Sequence, residues 1–330
     1  MVDYKISVII PVYNASSTIE RCARSLFNQT MTEGVEFLFI NDCTPDDSII
    51  ILHAVAADYP HLKEQIRIIS NPANLGVSQT RKKGIQEACG EYIAWVDSDD
   101  WIDHRMLESF WEATQEGSID VIVQNVFIDS YEKDLLKKTR EWKLYASQSP
   151  KQALMNYHTD RNVPWGLPFQ MSRRTLIFDA SKRVHDVNYT EDAMMIIYLF
   201  ANAKSATWLE KAFYHYIVVP NSNSLTHRDF RTKEEWSRQV LNINSVTAYL
   251  LKLDKNNFHV TANYIKWYWK SQFKKVFDNS WTFWKTYREC YRDAILFDRT
   301  NNNTTQHKIK VWLKYNIYPI YWYKEGRFLF

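Results

Sequence analysis

The chain has 330 residues, 45% of them hydrophobic and 24% charged, a balance that supports a sizeable core and excludes a disordered chain. The net charge of +3 conceals a split, because residues 231–330 hold 18 Lys and Arg against 8 Asp and Glu while residues 1–230 hold 23 against 30, so the two parts suit different partners. Cys22, Cys43, Cys89 and Cys290 form no CxxC pair and no metal-ligand spacing, which reads as reduced thiols in a cytoplasmic setting.

Met1 leads almost directly into ISVIIPVY, with neither a basic leader nor a small-residue cleavage site, so the N-terminus reads as a first strand. No apolar run approaches the ~20 residues of a spanning helix, and AMMIIYLFANA comes nearest. A soluble or peripheral protein is expected. Short β-branched runs then alternate with helix-like segments: KISVIIP, a helix near 17–29, EFLFIND, a helix near 46–57, IRIIS, a helix near 77–88, EYIAWV, a helix near 105–115, and DVIVQNVFI. Strands spaced by helices predict an α/β fold with βαβ crossovers and a mainly parallel sheet covered on both faces. Beyond residue 133 the pattern loosens. LPFQMSRRTL reads as a strand pair or strand and turn, YTEDAMMIIYLFANA as a helix beginning near Thr190, and KAFYHYIVV as a strand. EEWSRQVLNINSVTAYLLKL has helical spacing, so helices are expected from Thr232 onward. The predicted organisation is a domain over 1–230 and a basic, aromatic-rich helical region over 231–330.

Parallel sheets bind ligands beyond the carboxyl ends of their strands. Tyr13, Asn14, Asn41, Asp42, Asn71 and Asp97 to Asp100 fall there. In EYIAWVDSDDW an apolar strand runs into Asp97, Asp99 and Asp100. One reading is a cap, with Asp99 and Asp100 accepting from the free N–H groups of a helix that starts near Trp101. The other is a cation site, since two carboxylates in Asp-x-Asp offer hard oxygens to Mg²⁺ or Mn²⁺. A third acid so close is repelled unless a cation or hydrogen-bond donors offset it.

ISVIIPVYNA, FLFINDCTPDDS, NPANLGVSQTRKKGI, GEYIAWVDSDDW and YTEDAMM occur in an order and spacing that resembles the family-2 glycosyltransferases of bacterial surface-polysaccharide synthesis, over residues 5–227. The resemblance implies the GT-A fold and an inverting transfer of a sugar from a nucleotide diphosphate donor, by family habit a UDP-sugar, to a glycan or lipid-linked acceptor hydroxyl. Mn²⁺ or Mg²⁺ is the implied cofactor. It further implies that Asp97 faces the ribose or sugar and shares the metal with Asp99, while Asp100 orients the sugar or caps the next helix. Pro11, Tyr13 and Asp42 match the nucleobase and ribose cradle, and Asn74, Gly76 and Arg81 match the segment that reaches the diphosphate and sugar. Asp192 matches the base that deprotonates the acceptor, with Glu191 as its neighbour. His227 matches a third metal ligand or phosphate contact, although a histidine in a polar loop is also simply solvated. Trp165 suits either a sugar face or the core.

Two positions depart from the family. Cys43 stands where Gly is usual, which is a strained choice if that residue needs positive φ. Lys82 replaces a frequent Asn, which leaves any contact from that position in doubt. These departures keep open a non-catalytic nucleotide-sugar or glycan-binding relative. The tail, with Trp267, Trp269, Lys270, Lys274, Lys275, Trp281 and Trp284, interleaves cations and amphipathic rings. It suits either docking on an anionic membrane surface, peripheral on the cytoplasmic face, or an ordinary helical subdomain. No nucleic-acid motif accompanies its charge.

Overall fold

The structure is a computed structural model that describes residues 4–130, 138–140, 149–156, 163–187, 190–218 and 233–271. The chain divides into two compact units, Met1–Leu154 with Asp160–His227, and Met155–Thr159 with Arg228–Phe330.

The first unit is built on one sheet. Its strands are β1 (Ile6–Val12), β2 (Val35–Asn41), β3 (Ile66–Ser70), β4 (Tyr92–Trp95), β5 (Trp101–Ile102), β6 (Val121–Ser130), β7 (Lys138–Arg140), β8 (Gln170–Arg173) and β9 (Ala206–Val218). The helices between them are α1 (Ile19–Phe27), α2 (Ser48–Ala57), α3 (Val77–Glu87), α4 (Met106–Ala113), α5 (Pro150–Met155), α6 (Arg174–Ser181) and α7 (Glu191–Asn202). The strand order is β3-β2-β1-β4-β8-β6-β9-β5, with β7 beside β6.

The first four strands in this order are parallel, as the βαβ pattern predicts. Past β4 the sheet is mixed: β8 is antiparallel to β4 and β6, whereas β9 runs parallel to β6. β1 and β2 are largely apolar on both faces because helices cover both: Val8, Ile10, Phe37 and Phe39 on one face and Ile9, Leu38 and Ile40 on the other have no exposed surface. Each such side chain contributes about 1.5–3 kcal/mol by leaving water. On one face α1 turns Ile19, Cys22, Ala23, Leu26 and Phe27 inward, a helical stripe that packs Phe27 edge-on against Phe37 and Phe39. On the other, α3 lies so close to β1 that a Cβ on Gly84 would sit 2.4 Å from Ile9 Cγ2. Only glycine seats the helix at that depth.

Two expectations change. LPFQMSRRTL forms a 3-10 turn at Leu167–Phe169, strand β8, and the start of α6, because Ile177, Ala180 and Ser181 bury at helical spacing. The helix expected near 105–115 forms as Met106–Ala113, but the capping reading of the acids, which needs a helix from Trp101, fails because Trp101 and Ile102 pair with His215 and Tyr214 as β5. Asp99 and Asp100 therefore cap no helix.

In the second unit, α8 (Lys233–Leu253) and α9 (Lys255–Ser271) match the helices expected after Thr232. α8 buries Ile243, Val246 and Leu250, and α9 buries Phe258, Ala262 and Ile265. Asp254 caps α9 by accepting from Asn257 N–H at 3.2 Å. No helix among the described residues is long and apolar enough to cross a membrane. His227 and residues 272–330 lie outside the described residues, and so do most of the tail's cations and rings.

Candidate active site

Asp42, Asn71 and Asp97 stand just past the carboxyl ends of β2, β3 and β4, so parallel pairing gathers them on one edge. Asp42 is buried, and its oxygens accept from Asn71 Nδ2 at 2.9 Å, Leu75 N at 2.8 Å and Gly76 N at 2.8 Å. The carboxylate expected to meet a nucleobase is thus engaged in folding the 71–76 loop onto β2. Gly76, at φ 84°, starts α3. Tyr13 is 43% exposed, Asn74 is exposed and Pro11 is half-buried.

The turn after Asp42 is held by a residue the sequence reading missed. Asp46 accepts from Thr44 Oγ1 at 2.7 Å, Ser48 Oγ at 2.5 Å and Ser16 N at 2.8 Å. Burial works against its charge, but these donors overcome it and hold the carboxyl well below the usual range. Cys43 in this turn has φ 55°, the left-handed region, and is exposed.

The three acids after β4 have separate environments. Asp100 is buried, with Oδ2 accepting from Tyr214 Oη at 2.6 Å and Oδ1 from Ile217 N at 2.8 Å. The same phenol oxygen accepts from Asp97 N–H at 3.1 Å. Asp100 therefore ties the acidic loop to β9 instead of facing sugar. Asp99 opens to solvent while its backbone carbonyl accepts from Arg21 Nη2 at 2.7 Å. Partial desolvation at this crowded edge and repulsion from Asp97 push its pKa up to about 6.

Arg81, expected to reach the donor diphosphate and sugar, is paired with two carboxylates of the chain itself. Its guanidinium is buried, with Nη2 3.0 Å from Asp97 Oδ1 and Nη1 2.6 Å from Glu191 Oε1. One cation thus joins carboxylates 16 and 110 positions away in the sequence. Burial opposes its charge, yet Asp97, Glu191 and Asp192 outweigh this and raise its pKa. Those three acids also face a single cation. Desolvation and the charge of Asp192 push Glu191 up to about 7 in spite of Arg81, and Asp192 is raised as well, first by burial. Thr190, which precedes them, is buried at φ 72°, a costly conformation for a β-branched residue. Asp192 is half-buried and its Oδ1 accepts from Ala193 N–H at 2.7 Å.

Lys82, whose contacts the sequence left in doubt, donates to Val184 O and Asp186 Oδ1, both at 2.6 Å. Trp165 is half-buried.

Residues 7–182, about half the chain, match the pattern of Glycosyl transferase family 2. The chain belongs to this family. An uncharacterized glycosyltransferase of Bacillus subtilis, EpsJ, is 29% identical over 66% of this chain and 62% of its own length. An uncharacterized glycosyltransferase of Escherichia coli, YibD, is 30% identical over 76% of this chain and 72% of its own. Among solved structures, Staphylococcus aureus TarS 1-349 in complex with UDP-GlcNAc superposes with a TM-score of 0.67 at 18% identity, covering 89% of this chain and 80% of that one. This likeness shows the fold, the GT-A arrangement. This chain spans somewhat less than two thirds of EpsJ and more of YibD.

For a family-2 glycosyltransferase, the carboxylates at the sheet edge fit a divalent cation chemically. Asp99 is exposed to solvent and Asp97 lies two residues before it, and hard oxygen donors suit Mg²⁺ or Mn²⁺, which keep waters and phosphate oxygens as further ligands. Among the described residues, no group of three or more His, Cys, Asp and Glu side chains converges as a closed metal cage.

Proposed function

We propose that this glycosyltransferase moves a sugar from a UDP-sugar to a hydroxyl of a growing surface glycan, such as a capsule or lipopolysaccharide unit, in a single inverting displacement. The observation that carries this reading is the bridge from Asp97 through Arg81 to Glu191, which sets the donor-side acids beside Asp192. The UDP-GlcNAc in the TarS complex supports a UDP-sugar donor of the hexosyl or N-acetylhexosaminyl type.

Tyr13 presents an open aromatic face for the nucleobase. The loop pinned by Asp42 carries Asn74 and Gly76 toward the ribose and diphosphate. Asp97 and Asp99 would hold Mn²⁺ or Mg²⁺, which when bound neutralises diphosphate charge and stabilises the leaving phosphate. Asp192 accepts the proton that the acceptor hydroxyl loses as it attacks the anomeric carbon. Burial and neighbouring acids raise its pKa, which makes it a better proton acceptor. Arg81 then serves as the cation that holds the acids together, in place of the phosphate grip implied by family resemblance.

The test is donor-induced thermal stabilisation with UDP-, GDP-, CMP- and dTDP-sugars, with and without Mn²⁺, followed by turnover with the donor that binds. Asp99→Asn is expected to abolish Mn²⁺-dependent donor binding, whereas Asp192→Asn keeps donor affinity within about twofold and lowers kcat by at least about 100-fold. Equal loss of donor affinity in both variants would defeat this division of roles. Donor binding without turnover by the unmodified protein would establish a non-catalytic relative.

A further inference from the structure

We propose that Lys82 is a positioning residue for the acceptor-side carboxylates. Its ammonium straps the segment before α7 to α3 and so fixes where Glu191 and Asp192 stand against the donor side. The catalytic half of this inference rests on the reading of Asp192 as base.

The geometry begins with how firmly α3 is held. Gly84 seats it on Ile9, Gly76 at its start donates to Asp42, and Asn71 donates to both Asp42 and Thr80 of its first turn. A helix anchored to β1, β2 and the end of β3 is a rigid platform. Successive residues on a helix point about 100° apart, so the adjacent cations Arg81 and Lys82 reach different parts of what they touch. Arg81 takes Glu191, the first residue of α7, while Lys82 takes Val184 and Asp186 upstream. Both grips belong to one stretch of chain, and they flank Thr190.

Thr190 gives the strap its purpose. A β-branched residue persists in the left-handed region only where its surroundings over-determine it, and Thr190 directs the chain into the Glu191–Asp192 turn. Val184 and Val187 are buried, which seats the residues around the Lys82 contacts. The Lys82 contacts differ in kind. One is to a backbone carbonyl, which fixes the path of the chain, and the other is to the half-exposed Asp186, which supplies charge. Removing the ammonium leaves that carbonyl without this donor and frees the stretch to move relative to α3, while the contacts of Asp42 with the 71–76 loop, of Asp97 with Arg81 and of Asp99 with Arg21 do not involve Lys82.

Hydrogen exchange read peptide by peptide tests the strap directly, on the full chain. Lys82→Ala is expected to accelerate exchange about tenfold across residues 184–194 and to leave β1 and β2 unchanged, as loss of hydrogen bonds to a charged group predicts. Lys82→Arg, which restores the cation, returns the pattern toward that of the unmodified protein. With the donor identified by the screen, Lys82→Ala lowers kcat about tenfold while donor KM and the affinity for UDP with Mn²⁺ stay within about twofold. Unchanged exchange over 184–194 overturns the strap. Faster exchange with an unaltered kcat, or a parallel fall in UDP affinity, overturns the positioning role. If the unmodified protein binds no sugar nucleotide, the functional reading fails and takes the catalytic half with it, and the exchange result alone then decides the strap.

Discussion

At Cys43 and Glu191 the chain accepts unfavourable local chemistry. Cys43 holds φ 55°, where a Cβ crowds the following carbonyl and glycine does not. Cys43→Gly is expected to stabilise the protein by about 1 kcal/mol, the left-handed penalty less the extra flexibility of unfolded glycine. Urea denaturation with and without UDP would check this, with a higher midpoint and an unchanged response to nucleotide. Glu191 gives a pH signature. Its folded pKa of about 7 lies above the ordinary 4.5, so between those values the folded protein holds a proton that the unfolded chain has released. Stability from this group is therefore greatest at the acid end, falls as pH rises toward 7, and levels off beyond. Glu191→Gln should flatten that part of the stability profile between pH 5 and 8, and a steeper profile in the variant would contradict the sign. The gathering of acids at the sheet edge was legible because each follows an apolar strand, but the structural use of Asp42 and Asp100 was not, since their donors Leu75, Gly76, Tyr214 and Ile217 come from elsewhere in the chain. Thr190's left-handed backbone was not, since no local signal marks a threonine for that region.

Among the elements, α3 and β9 carry the most consequence for the site. α3 was legible as a helix, but its contacts were not: no local signal pairs Arg81 with Glu191 or Lys82 with Val184 until the fold brings them together. Gly84→Ala adds a methyl group at 2.4 Å from Ile9 Cγ2, and overpacking of this kind costs about 1–3 kcal/mol. Shortening the opposing side chain in a Gly84→Ala, Ile9→Val double variant should recover part of that loss, measured as a non-additive change in unfolding free energy. Tyr214 on β9 is the second such case. It read as one of several alternating aromatics, yet its phenol joins Asp97 N–H and Asp100 in a buried node. Tyr214→Phe is expected to weaken Mn²⁺-dependent nucleotide binding about tenfold while the protein stays folded, since each buried group left without its partner costs about 1–3 kcal/mol. Calorimetric titration with UDP and Mn²⁺ reads the change, and unaltered affinity would show that the node serves stability alone.

For the whole molecule, the parallel half of the sheet followed from its pattern of apolar runs, because burial on both faces leaves a continuous signature. The mixed half did not, because LPFQMSRRTL showed a strand but not its antiparallel pairing, the two-residue β5 is too short to announce itself, and both are defined by partners far along the chain. β5 shows what this means for the order of events at the ribosome. Only residues 96–100 separate it from β4 in sequence, yet β8, β6 and β9 lie between the two in the sheet. The acidic loop therefore spans a gap that exists only once β9 has been laid down. A nascent chain can assemble β1 to β4 and their helices early, but Asp97 and Asp100 have no phenol to meet until residue 214 has left the exit tunnel. Translation that stops short of β9 would release a chain with most of its sheet and no finished acidic loop, a product that passes for folded protein by its secondary structure and fails to bind nucleotide.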